Sequence, residues 1–232
     1  MDKNTFINKL KENGIEISDT QMAQFDEYAS FLKEYNEKIN LTAITEYEEV
    51  LDKHFYDSLL LSFNKEIKGT LVDVGTGAGF PGVVLKIAFP ELKVVLVEPI
   101  KKRCVFLQEL IDRLGLKDIE VVNTRGEDFV VKHREEYDFV TARAVSALNV
   151  LIEVCGALVK KKGYFIALRG SSGLEEIKEA NKAIKTMGFE VEETVEVELN
   201  DNSKRIISYF KKVESTPKKF PRQYSIIKQK SL

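Results

Sequence analysis

The stretch LVDVGTGAGFPG at residues 71–82 decides the fold. It follows a short run rich in β-branched residues, and a run with helical spacing comes after it. Three glycines at alternate positions, Gly75, Gly77 and Gly79, let the backbone turn sharply and approach a ligand closely. Because open parallel sheets bind their ligands at the carboxyl ends of the strands, this stretch predicts a ligand site there.

Strand-like and helical runs alternate outward from this loop. The predicted strands are 70–74, 93–97, 120–123, 137–141 and 163–168, and the predicted helices are about 81–89, 101–114, 146–159 and 173–187. Two further β runs, 190–199 and 205–211, are joined by a turn too short for a crossover helix, so they are expected to form an antiparallel hairpin. The alternation predicts an α/β fold with a mostly parallel sheet covered on both faces.

The first sixty residues show helical spacing and no strand signal. Ser18 to Gln21 reads as a capping box, and apolar residues follow at spacings of three and four. A second helix is expected from about Val50 to Leu61. We therefore predict a helical cap at 1–64, a ligand-binding domain at 65–212 and a basic tail at 213–232.

Composition excludes several classes of protein. The 232 residues carry a formal net charge of -2, which argues against a globally basic nucleic-acid coat protein. The two cysteines, 51 positions apart, can form neither a disulfide framework nor a zinc pair and fit a reducing cytoplasm. The sequence shows no apolar signal core and no stretch of 18 apolar residues, so a cytoplasmic protein without a membrane span is expected.

Charge is nevertheless uneven along the chain, with net -7 over residues 1–60 and net +6 over residues 211–232. The basic tail is either a solvated terminus or an arm that contacts a phosphate backbone. In the second interpretation Lys218, Lys219 and Arg222 contact phosphates.

Glycine spacing separates two classes of ligand. A dinucleotide fingerprint requires Gly-x-Gly-x-x-Gly, but Phe80 stands where the third glycine belongs. The pattern present, Asp73-x-Gly75-x-Gly77-x-Gly79, resembles motif I of S-adenosylmethionine (SAM)-dependent methyltransferases. Glu98 ends the second predicted strand, where an acid can accept hydrogen bonds from ribose hydroxyls. It suits SAM or NAD equally.

The motifs of several methyl-transfer reactions are missing from the sequence. It lacks the Asn/Asp-Pro-Pro-aromatic motif of amino-group methylation and a cysteine beside proline for carbon-5 methylation. Its two histidines are too few for a histidine-rich metal site, and no zinc motif is present. Guanine N7 carries a free lone pair and needs positioning more than acid–base catalysis, so it is compatible with these absences.

Blocks along nearly the whole chain carry a more specific resemblance. They are YNEKINLTAI (35–44), HFYDSL (54–59), DVGTGAGFPG (73–82), Glu98 with KRCVFL (102–107), RGE (125–127), YDFVTARAV (137–145), Gly163 with ALRG (167–170), and PKKFPR (217–222). In this order they resemble the bacterial ribosomal RNA small-subunit methyltransferase G family, also called glucose-inhibited division protein B. Two departures are Gly126, where Ala is usual, and the residues after Arg222, where the family continues with Gly and Pro.

The resemblance implies a class I methyltransferase fold, with a Rossmann-like seven-stranded sheet that ends in an antiparallel hairpin. It implies SAM-dependent N7 methylation of a guanosine in the decoding-region loop of 16S ribosomal RNA, with that RNA or the small ribosomal subunit as partner and no metal. The cofactor-binding residues that it and the motifs above indicate are Gly75, Gly77, Phe80, Glu98, Gly126, Glu127 and Arg143.

Two alternative functions and one structural interpretation accompany this prediction. An NAD-dependent oxidoreductase would use the same type of sheet, but the glycine spacing is wrong for it. A non-catalytic RNA-binding module of ribosome assembly would use the basic tail. His54 and Asp57 are interpreted as a structural pair within the cap.

Overall fold

The computed structural model describes residues 1–143 and 146–232. The longer helices of the cap are α1 (Lys3–Glu12) and α2 (Asp19–Asn36), followed by α3 (Tyr47–Val50), a π-helical segment (Leu51–Tyr56), α4 (Asp57–Leu59) and a 3-10 segment (Leu60–Ser62). The strands are β1 (Thr70–Val74), β2 (Lys93–Val97), β3 (Ile119–Val122), β4 (Tyr137–Arg143), β5 (Val159–Arg169), β6 (Phe189–Glu198) and β7 (Lys204–Lys212). The remaining helices are α5 (Gly82–Ala88), α6 (Lys101–Leu114), α7 (Gly126–Phe129), α8 (Leu148–Gly156), α9 (Gly173–Glu179), α10 (Asn181–Thr186) and α11 (Tyr224–Gln229).

The seven strands form one sheet in the order β3-β2-β1-β4-β5-β7-β6. The first five strands pair in parallel, and β7 pairs antiparallel with both β5 and β6. The strand order reverses beside β1, where the chain crosses from the β1–β2–β3 side to β4. Such a point opens a crevice at the carboxyl ends of the strands, and the glycine loop lies there. The predicted sheet with its terminal hairpin is confirmed.

The two faces of the sheet bury two separate apolar clusters. Alternate side chains of β1 point to opposite faces, so Leu71 joins the cluster with the cap, while Val72 and Val74 join the other. The cap cluster also contains α5 and α6, and the opposite cluster contains α8, α10 and parts of the tail. Since strands covered on both faces are buried throughout, β1 and β2 read as mostly apolar runs rather than as alternating ones, and Asp73 is the buried exception in β1.

Helix α2 of the cap begins where the sequence indicates. Ser18 and Gln21 form the expected capping box at the start of α2. The backbone N–H of Gln21 donates to Ser18 Oγ at 3.3 Å, and the backbone N–H of Ser18 donates to Gln21 Oε1 at 2.9 Å. The second expected helix is a continuous helical segment, but its middle six residues are π-helical. Helix α1 precedes both and was not predicted. No helix among the described residues is long and apolar enough to cross a membrane.

Several element boundaries differ from the sequence expectation. Helix α8 ends at Gly156, because the chain turns there and β5 already begins at Val159. Gly163 makes this early strand possible, since a Cβ there would lie 2.5 Å from the carbonyl oxygen of Asp138. The helix expected over 173–187 is divided at Ala180. The family block 137–145 ends in Ala144 and Val145, which lie outside the described residues. The division of the chain at residues 64 and 212 stays a prediction.

Candidate functional site

The glycine loop connects β1 to α5 through three left-handed residues. Gly75, Gly77 and Gly79 have φ values of +71°, +63° and +99°, which residues with a Cβ rarely adopt. At Gly79 space is also limiting, since a Cβ would lie 2.6 Å from the hydroxyl of Tyr28 in the cap. That hydroxyl donates a 2.5 Å hydrogen bond to the carbonyl of Ala78. Both the shape of the loop and its contact with the cap therefore require glycine at this position.

Asp73 holds the far end of the loop. Its carboxylate is fully buried, and Oδ2 accepts hydrogen bonds from Thr76 Oγ1 at 2.6 Å and from Gly82 N at 2.8 Å. Burial raises the pKa of Asp73 to about 6, although these two donors oppose the shift. The other carboxylate oxygen, Oδ1, is buried without a hydrogen-bond partner among the described residues. It is an acceptor available to a ligand or to water.

Glu98 follows β2 and holds the loop from the other side. Its carboxylate is buried: Oε2 accepts a hydrogen bond from Gly77 N and Oε1 accepts one from Ile100 N, both at 2.9 Å. Arg103 Nη1 lies 3.9 Å from Oε1. Since an ionised carboxylate has about four acceptor positions, two are still available for donors such as ribose hydroxyls.

A cavity of about 140 Å³ opens beside the loop. It is lined by Val74, Gly75, Pro99, Arg125, Gly126, Glu127, Ser146, Val150, Leu151, Val154 and Tyr224. Much of this wall is apolar, whereas Glu127 and Arg125 form an ion pair on one side. Gly126 brings the start of α7 close to β1, because a Cβ there would lie 2.7 Å from Cγ1 of Val74.

A polar cluster joins the carboxyl end of β4 to the cap. Arg143 donates to Asp57 Oδ2 at 3.3 Å, and its guanidinium carbon lies 5.0 Å from the centre of the Phe80 ring. Arg205, from the start of β7, donates to the other oxygen of Asp57 at 2.6 Å. Burial raises the pKa of Asp57, and the two guanidinium groups oppose the shift. One cap carboxylate thus holds arginines from two strands.

His54 supports this cluster as a neutral imidazole. Arg143 Nη2 lies 3.4 Å from Nδ1, and Thr42 Oγ1 lies 2.8 Å from Nε2. Because a guanidinium only donates, Nδ1 is the acceptor and the proton is assigned to Nε2. Burial, and then the charge of Arg143, lower the pKa of His54 to about 4. The imidazole also stacks on Phe80 with ring centres 4.3 Å apart.

The comparisons with known proteins agree with the resemblance found in the sequence. The family model described as rRNA small subunit methyltransferase G matches residues 21–207. A ribosomal RNA small subunit methyltransferase G from Lysinibacillus sphaericus (strain C3-41) is 46% identical over 228 residues, 96% of each chain. The chain belongs to the rRNA small subunit methyltransferase G family. Another relative with this name, from Staphylococcus epidermidis (strain RP62A), is 48% identical over 219 residues, 93% of this chain and 92% of the relative.

Solved structures show the fold of this methyltransferase G family member in more distant proteins. A SAM-dependent methyltransferase from Aquifex aeolicus superposes with a TM-score of 0.55 at 19% identity, covering 78% of this chain and 98% of that one. A 16S rRNA (adenine(1408)-N(1))-methyltransferase from Catenulisporales acidiphilia gives 0.51 at 18% identity, covering 64% and 86%. The class I methyltransferase fold expected from the sequence is confirmed.

The seven predicted site residues fall into two groups on either side of the glycine loop. Gly75, Gly126 and Glu127 line the cavity, and Glu98 with Gly77 forms the hydrogen bond that closes the loop beside it. Phe80 and Arg143 lie together against the cap instead. Their assignment as cofactor-binding residues stays a prediction.

Other residues of this methyltransferase G site were not predicted. The apolar wall from α8, Val150, Leu151 and Val154, lies on one face of a helix that the sequence does indicate. Arg205 and Tyr224 come from distant parts of the chain, and no local pattern points to either. His54 and Asp57, expected to pair with each other, both contact Arg143 instead. The part of the chain that the structure describes has no group of three His, Cys, Asp or Glu residues suited to a metal ion.

Proposed function

We propose that this chain transfers a methyl group from SAM to N7 of a guanosine in the decoding-region loop of 16S ribosomal RNA. Membership of the methyltransferase G family supports the reaction class. The observation that carries the proposal is the cavity where Gly75, Gly126 and Glu127 meet beside the loop closed by Glu98. Such a substrate also implies action in the cytoplasm, where ribosomal RNA is assembled.

The hydrogen-bond acceptors and apolar walls at this cavity fit SAM. Val74, Pro99 and Leu151 offer apolar surface for the flat faces of adenine, and the Glu127 carboxylate suits a donor on the adenine edge. Glu98 has acceptor positions left for the ribose hydroxyls. We propose that Gly75, Gly77, Glu98, Gly126 and Glu127 hold the nucleoside part.

The other side of the loop is assigned to the methionine part or to the target base. The buried ring of Phe80 lies there, and the guanidinium of Arg143 lies over it. Asp57 and His54 hold the guanidinium from the cap, so its direction is fixed before any ligand arrives. A preorganised arginine suits a carboxylate, because ordering has already been completed in the free protein.

Methyl transfer to guanine N7 requires that the two reactants be positioned rather than that a base remove a proton. Bound SAM supplies a methyl group on a positively charged sulfur. Guanine N7 has a lone pair that is not protonated at neutral pH, so the attack releases no proton from the base. His54 is consistent with a reaction that needs no base, because its Nδ1 lone pair already accepts a hydrogen bond from Arg143. The residues of the cleft hold two reactants in line, which alone lowers the barrier substantially.

The RNA must bring the guanine out of its stack to reach the cleft. Extrusion costs less in a single-stranded loop than in a duplex, which favours a loop nucleotide as the target. We propose the exposed lysines of the tail, Lys218 and Lys219, as phosphate contacts. Arg222, expected as a third contact, instead pairs with buried Glu153.

Methyl transfer from labelled SAM to small ribosomal subunits tests the proposal. The subunits are taken from cells that lack this gene, and borohydride reduction followed by aniline cleavage maps any N7-methylguanine. We expect one new cleavage site. Incorporation without cleavage would contradict the N7 assignment. No incorporation on subunits, stripped RNA or assembly intermediates would contradict the proposal that the chain is a methyltransferase.

Two variants sharpen this assay. Glu98→Ala removes the carboxylate that holds Gly77 N and faces the nucleoside, so we expect incorporation at limiting SAM to fall at least tenfold. Val131→Ala alters a side chain that is 80% exposed and touches neither the loop nor the cavity. It should match the unmodified chain. Thermal stabilisation by NAD but not by SAM would instead favour an oxidoreductase.

A further inference from the structure

The tail is fastened to the body of the protein before it reaches the cavity. Arg134 donates to the carbonyl oxygens of Thr216 and Phe220 at 2.5 and 2.6 Å. Arg222 then makes two parallel hydrogen bonds of 2.7 and 2.6 Å to the carboxylate of Glu153, which is fully buried on α8. Bidentate arginine–carboxylate pairs fix orientation as well as position. The segment that follows Arg222 is therefore delivered to a defined place.

That place is the open side of the cavity. Helix α11 starts at Tyr224, and its Ile227 is fully buried in the apolar cluster on this face of the sheet. The Tyr224 ring is half-buried and lies over the guanidinium of Arg125, 4.6 Å from the ring centre. Both side chains line the cavity. The other described lining residues come from the end of β1, from α7 and α8, and from the loops that follow β1 and β2 or precede these helices, so among the described residues Tyr224 is the tail's contribution to the wall.

We propose that Tyr224 is a cofactor-positioning residue, and that the tail closes the adenine end of the cleft and raises its affinity for adenosine-containing ligands. This inference rests on the proposed function, because it assigns the cavity to SAM. It gives the tail a role in the cofactor site beside any contact with RNA. Apolar walls already surround the cavity, so the ring completes an enclosure for a flat base rather than forming one alone.

The expected effect is a loss of affinity without a loss of fold. Contact between a base and an aromatic side chain typically accounts for about a tenfold change in dissociation constant when the side chain is truncated. Tyr224→Ala should therefore weaken SAM binding roughly tenfold. Tyr224→Phe keeps the ring and should bind nearly as well as the unmodified chain. Tyr224→Leu keeps apolar packing against the cluster, so it separates the loss of the ring from any loss of folding.

Calorimetric titration of the full chain with SAM and with S-adenosylhomocysteine tests the proposal. Ile226→Ala is the matched control, since Ile226 lies on the same helix and is 45% exposed. We expect both ligands to lose affinity equally in the Ala and Leu variants, because they share adenosine, while the Phe and Ile226 variants are unchanged. Thermal unfolding of each variant confirms that it is folded.

The other outcomes contradict different statements. Equal affinities for the unmodified chain and all Tyr224 variants would overturn the role of Tyr224 and leave the proposed function intact. A loss confined to SAM would place the ring near the sulfonium and overturn the adenine assignment. No saturable binding by the unmodified chain would overturn the proposed function itself.

Discussion

The cap and the tail cover opposite faces of one sheet, and both reach the same cleft by different means. The cap contributes a continuous set of buried aromatic rings, among them Phe25, Phe55 and Tyr28, which share one apolar cluster with α5 and the strands. The tail contributes two buried apolar side chains, Phe220 and Ile227, and the ion pair described above. Many buried side chains hold the cap against the sheet, whereas few hold the tail.

The difference separates folding from ligand affinity. Tyr28 stacks on Phe80 with ring centres 5.4 Å apart, so the cap supports the glycine loop through the same rings that form its core. Tyr224 reaches the cavity at the end of a segment that the rest of the sheet does not need for its own pairing. We therefore expect changes in the cap to alter stability and the site together, whereas the exchange of Tyr224 in the tail should alter ligand affinity without a matching loss of stability.

The largest effect is expected from Phe25→Ala in the cap. Phe25 is fully buried, with the rings of Phe6 and Phe55 at 5.5 and 5.0 Å. Truncation of a buried phenylalanine costs about 4 kcal/mol, or roughly 10 °C in melting temperature for a chain of this size. Thermal and urea unfolding measure it, with Val131→Ala as the exposed control. A loss below about 1 kcal/mol would show that the cap is not part of the cooperative core.

The next largest effect on stability is expected at the ion pair between Arg222 of the tail and Glu153 of α8. Arg222→Ala leaves the buried carboxylate of Glu153 without its cation, which is expected to cost about 3 kcal/mol. Glu153→Ala should cost less, because the Arg222 side chain is 23% exposed and its charge can reach water. Urea unfolding of both single variants and of the double variant gives the coupling energy. Equal costs for the two single variants would contradict this asymmetry.

Periodicity and motif spacing were sufficient for the sheet and for part of the site. The runs 70–74 and 93–97 are strands within the predicted bounds, because strands covered on both faces are mostly apolar and such runs are visible in the sequence. Gly75 and Glu98 could be placed from their positions directly after β1 and β2. The strands that precede them, β1 and β2, bring them to the same edge of the sheet.

Contacts between distant segments could not be predicted in this way. Arg205 meets Asp57 across 148 positions of the chain, and Tyr224 reaches Arg125 only because Arg222 is fastened to α8. The charge run at residues 211–232 indicated an arm, yet several of its cations, among them Lys212 and Arg222, are used in the fold. The π-helical segment was also missed, since its apolar residues continue the helical pattern on either side. Pairing partners depend on the tertiary structure, which no local pattern encodes.

A smaller effect, visible only in acid, is expected at the contact between cap and cleft. Because the folded pKa of His54 is about 4 and its ordinary value is about 6.5, only the unfolded chain binds the proton between these pH values. Stability from His54 is therefore present above pH 6.5 and is lost as the pH falls toward 4, with about 2 kcal/mol lost at pH 5.

Urea unfolding of the unmodified chain and of His54→Gln between pH 7.5 and 4.5 measures this loss. The difference between the two chains matters rather than either curve alone, because Asp73, whose folded pKa is raised to about 6, acts in the opposite direction. Its carboxyl binds a proton more readily in the folded state, so it favours folding as the pH falls below 6. A difference that does not change with pH would contradict a neutral, buried His54.

The smallest effect is expected at the exposed part of the tail, and it concerns RNA rather than stability. Lys218→Ala with Lys219→Ala removes two exposed charges from the segment between Thr216 and Phe220, the two residues whose carbonyls Arg134 holds. If both contact phosphates of a single-stranded region, the slope of log affinity against log salt should fall by about 1.4. Filter binding of 16S ribosomal RNA at several salt concentrations measures it.

The matched control is Lys68→Ala with Lys161→Ala, two exposed lysines at the amino ends of β1 and β5, away from the cleft. Removal of this pair alters the net charge equally and should leave the slope nearly unchanged. SAM affinity should be unaffected in both double variants, because neither pair touches Tyr224 or the cavity. Equal slopes for the two pairs would remove the tail lysines from the RNA interface and leave the tail with Tyr224 as its link to the site.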